Sequence, residues 1–312
     1  MQSFKIKAQV LAAIREFFAK EDFFEAETPL LVKHPDPSLY HEVFEVESGK
    51  EIYYLAPSPE IYLKKLISQG ARDIYQITKA FRENEEGDLL HLQEFTILEW
   101  YRDRANYLDL TKDCENLVKF LGQKTKLKPP MPPYPKITCQ EAFARYTGID
   151  LTEFLDINKV RSICQKRGYR VTKYDTWERL YHQVFLNEVE PKLLKLPAFF
   201  LYDYPPALAE LAQMKKEAPH WAERVEFYLN GLEIGNGYSE LADADEQEKR
   251  FQKNLKERKK RGMKIFDYDR EFIKALRNNF PQTAGMAVGV DRLIMVLTGT
   301  RDIRQTSPYA LK

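Results

Sequence analysis

Apolar residues near the start of the chain repeat with the period of an α-helix. The repeat runs through Val10, Leu11, Ile14, Phe17 and Phe18. It predicts an amphipathic helix from about residue 5 to residue 20. A mainly helical pattern also covers residues from about 137 to 196, and a long polar helix is predicted from about 243 to 261.

Punctuating residues predict a further helix in the stretch SPEIYLKKLISQG. Ser58 stands where an N-cap is expected, Pro59 would take the first helical position, and Gly70 would end the helix. The sequence therefore predicts a helix of about ten residues with defined ends.

Short alternating or β-branched runs predict strands on both sides of the helical segment. FFEAETPLLV is interrupted by Pro29, which favours an edge strand or a subunit boundary. HEVFEV and EIYYLA predict a strand pair, and DIYQITKAF and EFTILEWY predict two strands around a charged loop. AFFLYDYP and VEFYLNGLEIGNG predict more strands, the latter a hairpin turning at Asn230-Gly231. This order predicts an α+β fold with a mainly antiparallel sheet.

Composition narrows the class of protein. The chain has 312 residues and is 44% hydrophobic, and its 48 Lys and Arg against 47 Asp and Glu leave a formal charge of +1. This balance disfavours nucleic acid as the main partner. Three separated cysteines form no CxxC pair, and no apolar run suits a signal peptide or a membrane span. We expect a cytoplasmic protein with no membrane partner.

Small residues alternate along the stretch AGMAVGVDRL near the C-terminus. Gly285, Ala287 and Gly289 would share one face of a strand and leave it nearly bare for a ligand. Arg292 would then lie in the first turn of the following helix, where anions are favoured. Close packing of a helix on the sheet explains the small residues about as well, so both interpretations stay open.

Two glutamates of the predicted hairpin could meet. With the turn at Asn230-Gly231, Tyr228 faces Glu233 and Glu226 faces Gly235. Glu226 and Glu233 would then project from the same face, as diagonal neighbours about 7–8 Å apart at the backbone. Such a pair could bind Mg²⁺ that carries substrate phosphates. The alternative is a pair of solvated glutamates.

The strand EFTILEWY places Phe95, Glu99 and Tyr101 on one face. That spacing suits an extended ligand with an aromatic base at one end and a cation at the other. Arg82 and His91, in the loop before it, could both meet phosphate. An ordinary amphipathic strand with an interfacial tyrosine is the competing interpretation.

Together and in this order, the three motifs resemble the catalytic core of class II aminoacyl-tRNA synthetases. FFEAETPLL resembles the first class motif, FRENEEGDLLHLQEFTILEWYR the second and GMAVGVDRL the third. Within that class, SPEIYLKKL, LEIGNGYSEL and EFTILEWY are similar to the lysyl-tRNA synthetases. The resemblance implies one catalytic domain over residues 1–312, with a mainly helical insert at about 137–196.

Two features of the sequence are similar to those of the truncated paralogues that ligate lysine to elongation factor P. The first-motif helix is predicted to begin within a few residues of Met1, so we expect no anticodon-binding domain. Ala287 stands where lysyl-tRNA synthetases have glycine. The resemblance therefore implies elongation factor P as the acceptor protein, no tRNA partner, and a homodimer. A tRNA-charging synthetase and an inactive regulatory relative remain alternatives.

The resemblance also assigns roles to individual residues. Arg82 and Arg292 would be the catalytic pair on the ATP phosphates, assisted by His91, with Phe95 on adenine and Glu226 and Glu233 on Mg²⁺. Glu233 and Gly289 would also belong to the ATP site, and either Glu83 or, preferably, Glu85 would partner Arg82. The implied amino-acid site consists of Ser58, Glu60, Glu99, Tyr101, Asn236, Glu240 and Ala287.

The basic helix from 249 to 262 is left open between two interpretations. A solvated face rich in Lys and Arg is the simpler one. The other is a docking surface for an acidic protein such as elongation factor P, carried by Lys259, Lys260 and Arg261.

Overall fold

Strands from distant parts of the sequence meet in one large sheet. The computed structural model describes residues 2–85, 88–278 and 280–307. Its strands in the large sheet are β1 (Phe24–Glu25), β5 (Ile74–Phe81), β6 (Glu94–Asp103), β7 (Lys136–Thr138), β8 (Ala198–Tyr204), β9 (Ala222–Leu229), β10 (Leu232–Ser239) and β11 (Thr283–Gly289). Their order is β1-β5-β6-β11-β10-β9-β8-β7. Only the two outermost pairs, β1–β5 and β7–β8, are parallel among the described strands, so the predicted mainly antiparallel sheet is confirmed.

A small second sheet carries the predicted strand pair. It consists of β2 (Leu31–Val32), β3 (Glu45–Ser48) and β4 (Glu51–Leu55), in the order β2-β4-β3. The stretch around Pro29 forms two short strands, β1 and β2, in different sheets. Because proline cannot donate a ladder hydrogen bond, the chain leaves the large sheet there.

Helices cover both faces of the large sheet. They are α1 (Gln2–Lys20), α2 (Glu60–Ser68), α3 (Asp109–Thr125), α4 (Cys139–Thr147), α5 (Ile157–Lys166), α6 (Trp177–Val184), α7 (Glu190–Leu193), α8 (Ala244–Arg261), α9 (Arg270–Arg277) and α10 (Val290–Thr298). The predicted helices over 5–20 and 243–261 are confirmed as α1 and α8. No helix in the described ranges is both long and apolar enough to span a membrane.

Helix α2 begins at Glu60, one residue later than its capping residues lead one to predict. Pro59 occupies the N-cap position instead of the first helical position. The Ser58 hydroxyl still accepts a hydrogen bond from the Glu60 amide at 3.1 Å, so Ser58 caps the helix from one residue further out. The assignment of Ser58 as N-cap was wrong by one position.

The segment between 137 and 196 packs on the face of β8 that is opposite the main core. Helices α4 to α7 and a π-helical turn (Phe185–Val189) enclose an apolar cluster of their own. This cluster continues onto Phe199, Leu201 and Tyr228 of the sheet. The division of the chain into one domain with an insert stays a prediction.

The main core lies on the face of the sheet that contacts α1, α3 and α10. Phe18 of α1, Trp100 of β6, Met286 of β11 and Phe227 of β9 are all buried in it. Each of these strand residues is one position away from a residue proposed for the functional site. Side chains alternate between faces, so the opposite face of the same strands is free to carry polar groups.

Asp291 fixes the start of α10 against three other elements. Its carboxylate accepts hydrogen bonds from the Thr96 amide at 2.7 Å, from Lys7 Nζ at 2.6 Å and from the Thr306 hydroxyl at 3.0 Å. The Asp291 side chain is 2% exposed. This buried hub positions the neighbouring Arg292.

We predict that Asp291→Ala lowers the free energy of unfolding by roughly 3 kcal/mol, because it leaves a half-buried lysine and a buried amide without their acceptor. Denaturant titration followed by circular dichroism measures the change. Glu271→Ala, which removes an exposed carboxylate of α9, is the control and should shift the value by no more than about 0.5 kcal/mol. Equal effects of the two substitutions would contradict the role of Asp291 as a hub.

Candidate functional site

One face of four adjacent strands lines a cavity of about 1030 Å³. The ladder pairs Glu99 with Ala287 and Tyr101 with Gly285, and it pairs Asn236 with Ala287 on the other side. Residues paired across a ladder share a face. The sequence-predicted site residues that line the cavity are Ser58, Glu60, Arg82, His91, Phe95, Glu99, Tyr101, Glu226, Glu233, Asn236, Glu240, Ala287, Gly289 and Arg292.

The three small positions of β11 serve different purposes. A Cβ atom at Gly285 would lie 2.4 Å from Tyr101 Cε1 and 2.6 Å from Glu240 Oε1, so glycine is needed there for side-chain packing. A Cβ atom at Gly289 would have no neighbour closer than 3.9 Å, so a side chain would meet only ordinary van der Waals contacts there, two of them with Arg292. Ala287 lies between them. The close packing at Gly285 is therefore with the Tyr101 and Glu240 side chains and not with a helix, and the ligand interpretation of the motif stays a prediction.

A β-bulge changes the predicted register of the hairpin. Asn230 and Gly231 form the turn with φ of 48° and 78°, and Tyr228 faces Glu233 as predicted. The register then shifts between Glu233 and Gly235, so Glu226 pairs with Asn236. The predicted pairing of Glu226 with Gly235 was wrong, because Ile234 is an extra residue in β10.

Three glutamates and one lysine form a cluster at one end of the cavity, in which Glu60 is half-buried and the other three residues are buried. Lys64 Nζ lies 2.6 Å from Glu60 Oε1 and 2.5 Å from Glu240 Oε2. Glu99 Oε1 accepts a hydrogen bond from the Tyr101 hydroxyl at 2.6 Å. Burial and the neighbouring Glu60 raise the pKa of Glu99 to about 8. Burial, opposed by Lys64, raises the pKa of Glu240 to about 7. This end of the cavity therefore favours a cationic ligand.

Arg292 is held at the other end by uncharged acceptors. Its guanidinium donates to the Leu90 carbonyl at 3.2 Å, to the Glu233 carbonyl at 3.0 Å and to His91 Nε2 at 2.6 Å. Because Nε2 accepts, the proton of a neutral imidazole is on Nδ1, which lies 2.7 Å from Asp88 Oδ2. These contacts fix the arginine without neutralising it, so its charge remains available to an anion.

Arg82 lies on the same side, next to the predicted aromatic residue. The centre of its guanidinium is 5.1 Å from the centroid of the Phe95 ring. Glu85 is the carboxylate beside it, with 3.4 Å between Arg82 Nη1 and Glu85 Oε1. Glu83 instead contacts Lys264. The structure thus distinguishes the two glutamates between which the sequence left a choice.

Glu226 and Glu233 share a face but have different surroundings. Glu226 accepts hydrogen bonds from Arg224 at 2.8 Å and from the Tyr228 hydroxyl at 2.7 Å. Burial, followed by the charge of Glu226, raises the pKa of Glu233 to about 7. A cation between the two carboxylates would relieve that repulsion, so the donor set fits Mg²⁺. The described residues hold no group of three or more potential metal ligands, so the remaining oxygen ligands would have to come from another molecule.

Asn236 belongs to a chain of hydrogen bonds along the cavity wall. Its Nδ2 donates to the Tyr238 hydroxyl at 2.7 Å, and this hydroxyl donates to Glu210 Oε2 at 2.8 Å. Glu210 also binds Arg224. The side-chain amide of Asn236 is thereby oriented before any ligand arrives.

Sequence reasoning missed several residues of the site. Lys64 is one helical turn from Glu60, so an i, i+4 pairing rule would have found it. Asp88 and Arg224 lie three and two positions from the residues they contact, His91 and Glu226. Asp36 and Glu210, which also line the cavity, come from loops for which the sequence gave no comparable signal.

The basic helix α8 combines buried and exposed cations. Arg258 is 0% exposed, donates to the Lys264 and Ser38 carbonyls, and pairs with Glu42, so it anchors loops and faces no solvent. Lys259 and Lys260 are exposed. Arg261 lines the cavity and pairs with Glu257 at 3.1 Å. The solvated interpretation therefore does not describe the whole helix.

Comparison with known proteins shows which family this chain matches. The family described as tRNA synthetases class II (D, K and N) matches residues 1–312. The elongation factor P–(R)-β-lysine ligases of Avibacterium paragallinarum and Photobacterium profundum are each 33% identical, over 100% of this chain and 96% of their own length. The lysine–tRNA ligase of Cronobacter sakazakii is 32% identical over 97% of this chain, but only 62% of its own length is covered.

The match along the chain agrees with the antiparallel sheet and with the position of the motif residues around one cavity. The chain belongs to the class II tRNA synthetases of the D, K and N group.

Proposed function

We propose that this chain is an ATP-dependent ligase that activates lysine or (R)-β-lysine as an acyl-adenylate and transfers it to a lysine side chain of elongation factor P. The observation that carries the proposal is the division of one cavity into an arginine end and a glutamate end. The relatives named as elongation factor P–(R)-β-lysine ligases support the choice of substrate and acceptor.

The glutamate end suits a substrate with two ammonium groups. Glu60, Glu99 and Glu240 outnumber Lys64, and Glu99 and Glu240 are buried. A buried carboxylate without a counter-charge is costly, and an ammonium group that lacks acceptors is costly too. A bound diamino acid would pair its ammonium groups with these carboxylates and so remove both costs. Ser58, Tyr101 and Asn236 line the same cavity.

The arginine end suits a nucleoside triphosphate. Phe95 offers a flat ring for adenine, and Arg82, His91 and Arg292 line the same cavity. Glu226 and Glu233 would hold Mg²⁺, which would neutralise phosphate charge when bound. Arg292 would contribute most, because its charge is fixed but not compensated.

The chemistry follows from this arrangement. The carboxylate of the amino acid attacks the α-phosphorus of ATP, the bond to the β-phosphate breaks, and pyrophosphate leaves. The carboxylate is already ionised at neutral pH, so no general base is required. Arg82 and Arg292 orient the reactants and stabilise charge on the phosphoryl oxygens. The acceptor amine then attacks the acyl carbon, loses a proton and releases AMP.

A second candidate is the charging of tRNA with lysine. It is supported by the lysine–tRNA ligases among the relatives, although the chain spans only 62% of the length of those proteins. Both candidates share the adenylate step and differ in the acceptor.

We also propose a homodimer. Phe24, Leu30 and Leu31, around Pro29, expose large apolar side chains. A second copy of the chain packed on this surface would bury them, as the resemblance to the first class motif implies.

The acceptor is tested by incubating the protein with ATP, radiolabelled lysine or (R)-β-lysine, and either tRNA or elongation factor P. We expect the label to appear in elongation factor P. Mass spectrometry of that protein should show one added lysyl group. Label in tRNA with unmodified protein would favour the second candidate. Absence of pyrophosphate exchange with every lysine isomer would contradict both.

Affinity for the diamino acid should increase as pH rises from 6 to 8. Binding of two ammonium groups favours ionised glutamates, so it lowers the raised pKa values of Glu99 and Glu240 and releases protons. The Michaelis constant in pyrophosphate exchange should therefore fall by at least about tenfold over this range. A constant that does not change with pH would contradict the assignment of these two carboxylates to the amino-acid site.

Ala287→Gly should shift the isomer preference towards α-lysine. Ala287 pairs with both Glu99 and Asn236, at the boundary between the two ends of the cavity. Its methyl group narrows the space under the α-carbon, and an amino group on the β-carbon would relieve that crowding. The ratio of kcat/KM values for the two isomers measures the shift, and an unchanged ratio would show that the methyl group only fills space.

A further inference from the structure

Lys64 is a buried cation that no step of the proposed reaction uses. It lies on α2, one turn after Glu60, and its side chain is 2% exposed. Burial of an ammonium group costs several kcal/mol unless acceptors compensate it. An apolar residue would fill the same space without that cost, so the charge itself needs a reason.

The contacts of Lys64 point towards the amino-acid end of the cavity. Its ammonium lies between Glu60 of α2, at 2.6 Å, and Glu240, the residue after β10, at 2.5 Å. Both glutamates line the cavity. Lys64 therefore joins a helix to the sheet through two groups that also border the ligand space.

Other ionisable groups face this cluster from every side. Glu99 and Tyr101 project from β6, while Asp36 from the loop before β3 and Glu210 from the segment before β9 line the same cavity. Burial, Glu60 and Glu210 raise the pKa of Asp36 to about 7, and Lys64 opposes that rise. Lys64 likewise opposes the raised pKa values of Glu99 and Glu240. Lys64 therefore limits protonation of this cluster, with Arg258 also acting on Asp36.

We propose that Lys64 is a positioning residue that sets the charge of the amino-acid site: it neutralises one of the three glutamates and leaves two negative charges for the two ammonium groups of a diamino acid. This inference rests on the proposed function and adds a determinant of substrate charge to it. Glu60 and Glu240 are thereby held as acceptors, with their oxygen atoms directed around a fixed cation.

Loss of this cation would change what the site offers. Without Lys64 the three glutamates would retain an additional proton, beyond the one that Glu99 already holds in the wild type at neutral pH, because their mutual repulsion disfavours full ionisation. A protonated carboxyl group presents a donor where an ammonium group needs an acceptor. Binding of the diamino acid would then have to expel that proton, so the effect should be strongest at low pH.

The test compares Lys64→Met with the wild type in pyrophosphate exchange that depends on lysine or (R)-β-lysine, between pH 6 and 8.5. We expect the Michaelis constant for the diamino acid at pH 7 to rise at least about tenfold, while kcat changes less. The midpoint of its pH dependence should move up by about one unit. The two proteins should differ least at the highest pH.

Lys65→Met is the matched control. Lys65 is the next residue of the same helix and pairs with Asp269 of the loop before α9, outside the cavity. This substitution removes an ion pair of the same kind, so it reports the cost of loosening α2. It should leave the pH midpoint where it is in the wild type.

A second pair of variants keeps the test decisive if Lys64→Met does not fold. Glu240→Gln is compared with the double variant Lys64→Met/Glu240→Gln. The double variant lacks both the cation of Lys64 and the carboxylate of Glu240 that pairs with it. The midpoint of the double variant should lie above that of Glu240→Gln and, if it can be measured, below that of Lys64→Met.

Three outcomes are distinguishable. An unshifted midpoint on loss of Lys64 in both backgrounds, or an equal shift in Lys65→Met, would overturn the role of Lys64 while the wild type remains active. Wild-type protein without exchange on any diamino acid would instead contradict the proposed function. A shift confined to the Lys64 variants supports the inference.

Discussion

The single extra residue in β10 determines which side chains the site can use. Before Ile234 the cavity face carries Glu233, and after it the same face carries Asn236, Tyr238 and Glu240. In a regular strand those later residues would point into the apolar core, and glycines would face the cavity instead. The bulge thus allows one strand to supply Glu233 to the arginine end and Glu240 to the glutamate end.

This arrangement separates opposite charges along a single sheet face. Arg82 and Arg292 lie at one end, and Glu60, Glu99 and Glu240 at the other, in a chain whose formal charge is only +1. The near-neutral net charge therefore does not reveal the two strong local electrostatic fields at the ends of the cavity. Each field is preorganised by contacts within the protein, such as the hydrogen bond from Arg292 to His91, so a ligand with both charges would find its partners already in position.

Much of this site follows from local sequence, and the rest depends on long-range geometry. Alternation in EFTILEWY correctly placed Glu99 and Tyr101 on one face, and Asn230-Gly231 correctly placed the turn. The bulge at Ile234 was missed because one inserted residue leaves no mark in such a short alternating pattern. Lys64 was missed because a lysine on a helix normally faces water, and only the tertiary fold brings Glu240 beside it.

The three small residues of β11 have a consequence for how such a site can diversify. Gly285 is required by the ring and carboxylate packed on it, whereas a side chain at Gly289 would meet only ordinary contacts. Ala287 lies between them and pairs with Glu99. A change at this middle position alters the shape of the site without altering its charges. On the proposed function, a single substitution there would change the preference between isomers of equal charge and leave the arginine end of the cavity unaltered.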